Sequence, residues 1–175
     1  MIFLSKPDVI YKESFIEGVR EFQQEGRMLN YPIRSMQDDF TAFLRRLAEQ
    51  EDRTKLSPDR VPSTEFWLIE GDETHGIYIG TLSLRHELND YLTRIGGHIG
   101  YQIRPSKRRQ GYGTTLLCLG LEKARDIGLT RVLVTCDENN IGSKKVIEGN
   151  GGRFENALPV AGGPVKKLRY WIELA

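Results

Sequence analysis

Between residues 100 and 114 the chain reads Gly100-Tyr101-Gln102-Ile103-Arg104-Pro105-Ser106-Lys107-Arg108-Arg109-Gln110-Gly111-Tyr112-Gly113-Thr114. A strand-like stretch is stopped by a proline, which cannot donate to a ladder. A short basic loop then passes through two glycines directly into a helical pattern. Any fold that holds this block brings a strand end and a helix start together. Several unpaired backbone N–H groups then aim at one point, with the positive end of the helix dipole behind them. Such a junction is a natural seat for a phosphate or pyrophosphate. Glycine at 111 and 113 lets the backbone approach an anion without a Cβ in the way, and Lys107, Arg108 and Arg109 supply charge.

Two common nucleotide motifs fail here. A P-loop needs a Gly-Lys-Ser/Thr ending, which is absent. A dinucleotide fingerprint needs a third glycine where this chain has Leu116. The plain alternative is a glycine-rich turn with a solvated basic edge.

The flanking patterns predict a mixed fold. Ser5-Lys6-Pro7-Asp8 has a capping-box shape, and Tyr11, Phe15, Val19 and Phe22 follow at helical spacing up to about residue 24, with Gly26 as the stop. A second helix is expected after Ser35, with Asp38 capping and Met36, Phe40, Phe43 and Leu47 along one face. Residues 51–63 read as a loop. Strands are expected over 64–70, 77–86 and 98–103, the first two joined by a turn over 71–76. A helix over 113–126 ends at Gly128. The apolar run 131–136 reads as a strand buried on both faces. A short helix over 141–148 is capped by Asn140, and a last strand spans 168–174. The expectation is an α/β (α+β) chain with a mixed, mostly antiparallel central sheet flanked by helices, one domain over 1–175.

Composition narrows the function classes. The 25 basic and 24 acidic side chains nearly cancel, so global charge makes no case for nucleic acid or an anionic membrane. The apolar start at residues 1–4 is too short for a signal peptide, and no segment reaches the length of a membrane span. A cytoplasmic protein is expected. Cys118 and Cys136 have no Cys or His neighbour at metal-ligand spacing, so reduced thiols and no metal are expected.

Arg108-x-x-Gly111-x-Gly113, placed between a strand and a helix, resembles the acyl-CoA signature of the GNAT superfamily of N-acetyltransferases. Downstream, Asn140-x-x-Ser143 is similar to that family's second coenzyme-contacting element, and the element order agrees over nearly the whole chain. The plain reading of Asn140, a helix N-cap, is compatible with it. The resemblance implies a GNAT-like acyl-CoA N-acyltransferase fold and direct transfer of acetyl from acetyl-CoA to a primary amine in a ternary complex. Backbone groups of Tyr101 and Ile103 would pair with the pantetheine arm, and the Ile103 amide would polarise the thioester carbonyl. Amides of Arg109, Gln110, Gly111, Tyr112, Gly113 and Thr114 would hold the pyrophosphate. Asn140 and Ser143 would contact pantetheine, and Lys144 would extend to a coenzyme phosphate. The strands containing Ile103 and Cys136 would splay apart to admit the coenzyme. Homodimers are common among such proteins, though no stretch here specifies an interface.

The chain also departs from that pattern. Ile147 stands where many members carry a tyrosine that protonates the leaving thiolate, and Gly97 stands where some carry a base glutamate. A coenzyme-binding sensor or interaction module with little catalysis is therefore the alternative. The remaining polar candidates for proton transfer are His98, Tyr101 and Glu87, each with a plain structural or surface reading. Tyr170 is a further aromatic on the last strand. The acceptor site is expected from the segments 24–35, 87–97 and 156–167, whose charges are mixed and name no acceptor.

Overall fold

Local chemistry sets most element boundaries. The structure, a computed structural model, describes residues 1–72 and 74–174. A short edge strand, β1 (Ile2–Ser5), precedes the first helix. The cap is Asp8 rather than Ser5: its carboxylate accepts from Ile10 N at 3.0 Å and starts a 3-10 turn that runs into α1 (Lys12–Gln24). Gly26 follows in the left-handed region at φ 74°. The single helix expected after Ser35 is two, α2 (Ile33–Asp38) and α3 (Phe40–Ala48). Asp39 breaks them apart, its side chain accepting from Ala42 N at 2.9 Å.

Strands β2 (Ser63–Gly71), β3 (Gly76–Arg85) and β4 (Ile99–Ile103) come next. Glu73, in the turn expected over 71–76, lies outside the described residues. The segment 87–97 contains a short π-helical turn over Leu92–Gly96, fastened by Leu92 N donating to Asn89 Oδ1. Then follow α4 (Tyr112–Asp126), β5 (Arg131–Asp137), α5 (Ile141–Gly149), β6 (Arg153–Pro159) and β7 (Lys166–Glu173). No strand is expected over β6, whose C-terminal half falls in the segment 156–167. β6 is an edge strand with a register shift between Phe154 and Asn156 and exposed charges, which erase the alternation that marks a strand.

The seven strands form one sheet in the order β1-β2-β3-β4-β5-β7-β6. Every junction is antiparallel except β4–β5. Two apolar layers cover it. On one face α4 and α5 pack Leu116, Leu117 and Ile147 against Leu82, Leu84, Ile99 and Val134. On the other, α1 to α3 set Phe15, Phe22, Phe40 and Phe43 against Trp67, Ile69 and Tyr78, with Phe15 stacked on Trp67 at 4.1 Å. No described helix is long and apolar enough to cross a membrane.

Candidate active site

The site begins where the sheet opens. β4 and β5 meet at a single register position, Ile99↔Val134. His98 closes that end: its N–H donates to Leu133 O at 2.7 Å, and its ring Nδ1 accepts from Leu133 N at 2.9 Å. Burial, with Arg85 and Arg131 nearby, lowers the His98 pKa to about 4. The imidazole is therefore neutral at pH 7, and its Nδ1 helps to fasten the two strands.

Past Ile99 the strands part, and the register of β4 decides what faces the gap. Arg104 N donates to Ile79 O and Arg85 N to His98 O, both at 2.8 Å. These bonds make Gly80↔Ile103, Leu82↔Tyr101 and Leu84↔Ile99 the non-hydrogen-bonded pairs of the ladder. The peptide groups of Tyr101 and Ile103 consequently turn away from β3 and toward the gap. Arg108 Nε takes the Ile103 carbonyl at 3.1 Å. The Ile103 N–H and both Tyr101 peptide groups are left aimed into the opening.

The basic loop is held from behind by α1. Buried Arg104 pairs with Glu17 at 2.8 Å and Glu21 at 2.7 Å. Glu21 also accepts from Ser106 N and Oγ. Burial works against its charge, but the Ser106 amide and Arg104 outweigh it and hold its pKa below the ordinary value. The Arg108 guanidinium makes two 2.8 Å bonds to Glu25. Of the basic residues expected to face phosphate, Arg108 is thus spent on positioning the loop.

Arg109 has φ 62° and Gly111 φ 85°, so the loop curls into a concavity just before α4. No side chain caps α4, whereas α5 is capped by Asn140 Oδ1 accepting from Ser143 N at 3.0 Å. Thr114 N donates to Gly111 O at 3.1 Å, which leaves the Tyr112 and Gly113 N–H groups at the start of α4 available to an anion. Gly113 has a second reason to be glycine, since a Cβ there would meet Val146 Cγ2 at 3.2 Å.

These parts surround one cavity of about 440 Å3. Of the expected residues, Tyr101, Ile103, Arg108, Arg109, Gly111, Tyr112, Gly113, Thr114, Asn140 and Ser143 line it. Gln110 is not among the lining residues; its side chain donates to Ser106 O. Neither is Lys144, whose ammonium lies 4.0 Å from Glu148, while Lys145 does line the cavity. Arg27, Gln102, Lys107, Gly142 and Val146 complete the lining. Glu87 is exposed and outside it. Tyr170 is buried in the core.

Across the gap the Tyr101 hydroxyl meets Ser143 Oγ at 2.8 Å. Burial, partly offset by the Ser143 bond, pushes this phenol up to about 12, so it keeps its proton at neutral pH. Ile147 is fully buried among the α4-side apolar residues. Gly97 has φ 65°, and a Cβ there would meet Leu133 O at 2.5 Å, so a glutamate has no room. Among the described residues no group of His, Cys, Asp or Glu side chains is placed to hold a metal ion.

Known proteins share this architecture. RimJ of Mycobacterium smegmatis, solved in complex with CoA-disulfide, superposes with a TM-score of 0.69 at 20% identity, over 98% of this chain and 81% of that one. MccE, the microcin C7 self-immunity acetyltransferase solved with acetyl-CoA and AMP, gives 0.68 at 15% identity over 98% and 92%. RimL, the ribosomal L7/L12 alpha-N-protein acetyltransferase solved with coenzyme A, gives 0.67 at 14% over 99% and 94%. At these identities the likeness is one of fold. No curated protein sequence matches the chain. A family model described as an acetyltransferase (GNAT) domain matches residues 16–153. By that match, over most of its length, the chain belongs to the GNAT family of acetyltransferases.

Proposed function

We propose that the chain is a cytoplasmic N-acetyltransferase that binds acetyl-CoA in the β4–β5 gap and transfers its acetyl group to a primary amine in a ternary complex. The observation that carries this is the uncapped start of α4, curled behind Arg109 and Gly111, opening into the same cavity as the unpaired peptide groups of β4. Bound acetyl-CoA supplies an acyl group activated as a thioester. First-turn amides of α4 hold the pyrophosphate, with Lys107, Arg109 and Lys145 adding charge at the rim. Peptide groups of Tyr101 and Ile103 bind the pantetheine arm as an added strand would, and the Ile103 N–H polarises the thioester carbonyl. Asn140 is the N-cap of α5 and sets Ser143 against Tyr101.

Tyr101 is the proton donor in this reading. Its neutral hydroxyl occupies the gap that Ile147, buried in the core, does not reach. Titration calorimetry with CoA at low salt tests the coenzyme site. Saturable binding that is lost in Gly113→Val is expected; an unaltered chain that binds neither CoA nor acetyl-CoA overturns the reading. Binding without turnover of any amine would instead favour a coenzyme-sensing module.

A further inference from the structure

The α4–α5 side of the cavity carries the groups that serve the coenzyme; its α1 side is lined by Arg27 and Gln102. Tyr101 and Ile103 pack with the α4–α5 layer, so the Gln102 side chain between them leaves β4 on the opposite face. There it meets the connection between α1 and α2, residues 25–32. Gln102 Nε2 donates to Met28 Sδ at 3.2 Å, and Oε1 accepts from Arg27 Nη2 at 3.1 Å. Gln102 directly precedes Ile103, whose N–H points at the thioester carbonyl in the reading above. The Arg27–Gln102 pair therefore stands beside the reacting carbon. It lies on the face that a pantetheine arm between β4 and β5 leaves uncovered.

Specific ties hold this corner. Gln23 Nε2 on α1 donates to the carbonyls of Met28 at 3.1 Å and Tyr31 at 2.8 Å. Gly26 (φ 74°) and Met28 (φ 51°) both lie in the left-handed region. A residue with a Cβ seldom adopts that region, and residues held there gather at ligand clamps. The turn lays the Arg27 guanidinium over the Phe22 ring, 5.4 Å from its centroid. Arg108 shares that ring at 5.9 Å, but the two arginines differ in charge balance. Arg108 is neutralised by two bonds to Glu25. Arg27 has no ion-pair partner among the described residues, and its side-chain hydrogen bond there goes to a neutral amide. A cation on the cavity wall with most of its N–H donors unused is suited to a carboxylate.

That placement constrains the acceptor. Among the described residues that line the cavity there is no Asp or Glu, so a polyamine would set its ammonium groups against Arg27 with nothing to offset the repulsion. An amine that carries a carboxylate answers the charge. Its carboxylate sits on Arg27 and its nitrogen, a few bonds away, donates to Gln102 Oε1. With the carboxylate neutralised on Arg27, the amine loses the charge that favours its ammonium form and meets the carbonyl as the free base. Transfer then balances without a protein base. The N–C bond forms as the C–S bond breaks, and the thiolate takes the Tyr101 proton. The nitrogen sheds its surplus proton to water, from which the phenol is restored.

We infer that Arg27 selects the acceptor, taking the carboxylate of a small amino acid while Gln102 holds its amine beside the thioester carbon. The inference rests on the acetyltransferase reading above and names its substrate class. The test uses the full chain with acetyl-CoA and follows thiol release over free amino acids, the corresponding amino-acid amides, plain monoamines and short peptides. At least one amino acid should be turned over, with kcat/KM about ten- to a hundredfold above its amide. That comparison is made on the unaltered chain, so it survives if a variant fails to fold. Arg27→Gln should bring the acid-to-amide ratio toward one through KM, and Arg27→Lys should restore part of it. Calorimetry should show CoA affinity unchanged in both variants, since Arg27 serves the acceptor and not the phosphates. Equal turnover of acids and amides overturns the inference, as does turnover confined to monoamines or to peptide N-termini. So does an acid preference that survives Arg27→Gln, or a loss of CoA affinity in that variant. CoA binding with no amino acid turned over also overturns it, and leaves the coenzyme reading intact. Absence of CoA binding to the unaltered chain defeats both.

Discussion

Gly111 and Gly113 sit two residues apart for different physical reasons. Gly111 is glycine for its backbone: φ is 85° and a Cβ would meet nothing within 4 Å. Gly111→Ala should therefore cost about 1–2 kcal/mol of stability in urea unfolding and weaken CoA by disturbing the loop. Gly113 is glycine for space against Val146, so Gly113→Val should lose CoA affinity out of proportion to its stability. Tyr101→Phe keeps the ring and removes the proton. It should lower kcat by about a hundredfold with little change in KM for acetyl-CoA, as steady-state kinetics would read. Glu65 gives a pH test. Its pKa rises from an ordinary 4.5 to about 7 on folding, so the folded chain holds the proton more tightly than the unfolded one. Stability contributed by Glu65 is then present below about pH 4.5 and lost as pH climbs to about 7. Glu65→Gln should raise the melting temperature at pH 8 and leave it nearly unchanged at pH 4. At this scale the sequence reads best where chemistry is local. Asn140 is a cap wherever a helix follows it, and the Gly111 turn is implied by its neighbours. Lys145 in place of Lys144 was not legible, because one residue of helix phase lies below what spacing resolves. Glu65 gave no signal because its dryness comes from rings on β2, β3 and the α1–α2 connection.

Elements inherit their positions from a few polar ties. Helix α1 does more than cover the sheet: Glu17 and Glu21 on it, with Glu25 at its C-terminal end, grip Arg104, Ser106 and Arg108 and so set the phosphate loop. Glu21→Ala would leave the buried Arg104 guanidinium with Glu17 as its one carboxylate partner and free the Ser106 amide. It should weaken CoA binding by calorimetry although it touches no part of the cavity. His98 performs the matching task at the closed end of the gap. His98→Ala should lose about 1–3 kcal/mol of unfolding free energy at pH 7. Folding lowers the His98 pKa from 6.5 to about 4, so its neutral-form stability is present above 6.5 and fades toward 4. The difference between variant and unaltered chain should narrow over that interval. Long periodic elements such as α1, α4 and β5 were readable in the chain itself. β1 and β6 were not: four residues carry no period, and an exposed, bulged edge becomes a strand only through the neighbour it pairs with. The split at Asp39 is not legible in the sequence because Met36, Phe40 and Phe43 keep an apolar face across it.

For the whole molecule, the decisive feature is that β4 and β5 share a single register position. β1 to β4 lie on one side of that junction and β5, β7 and β6 on the other, with the two apolar layers stacked across the sheet. The sequence conveyed this arrangement only through resemblance, since a splay is a missing set of hydrogen bonds and leaves no residue pattern of its own. Its consequence concerns cooperativity. Two half-sheets joined by so little backbone pairing need not open together, and amide exchange should resolve them as separate units in the free chain. A coenzyme lying between them as the absent strand would weld them into one. Exchange rates on β2 and β7, neither of which touches the cavity, should then fall together when CoA is added.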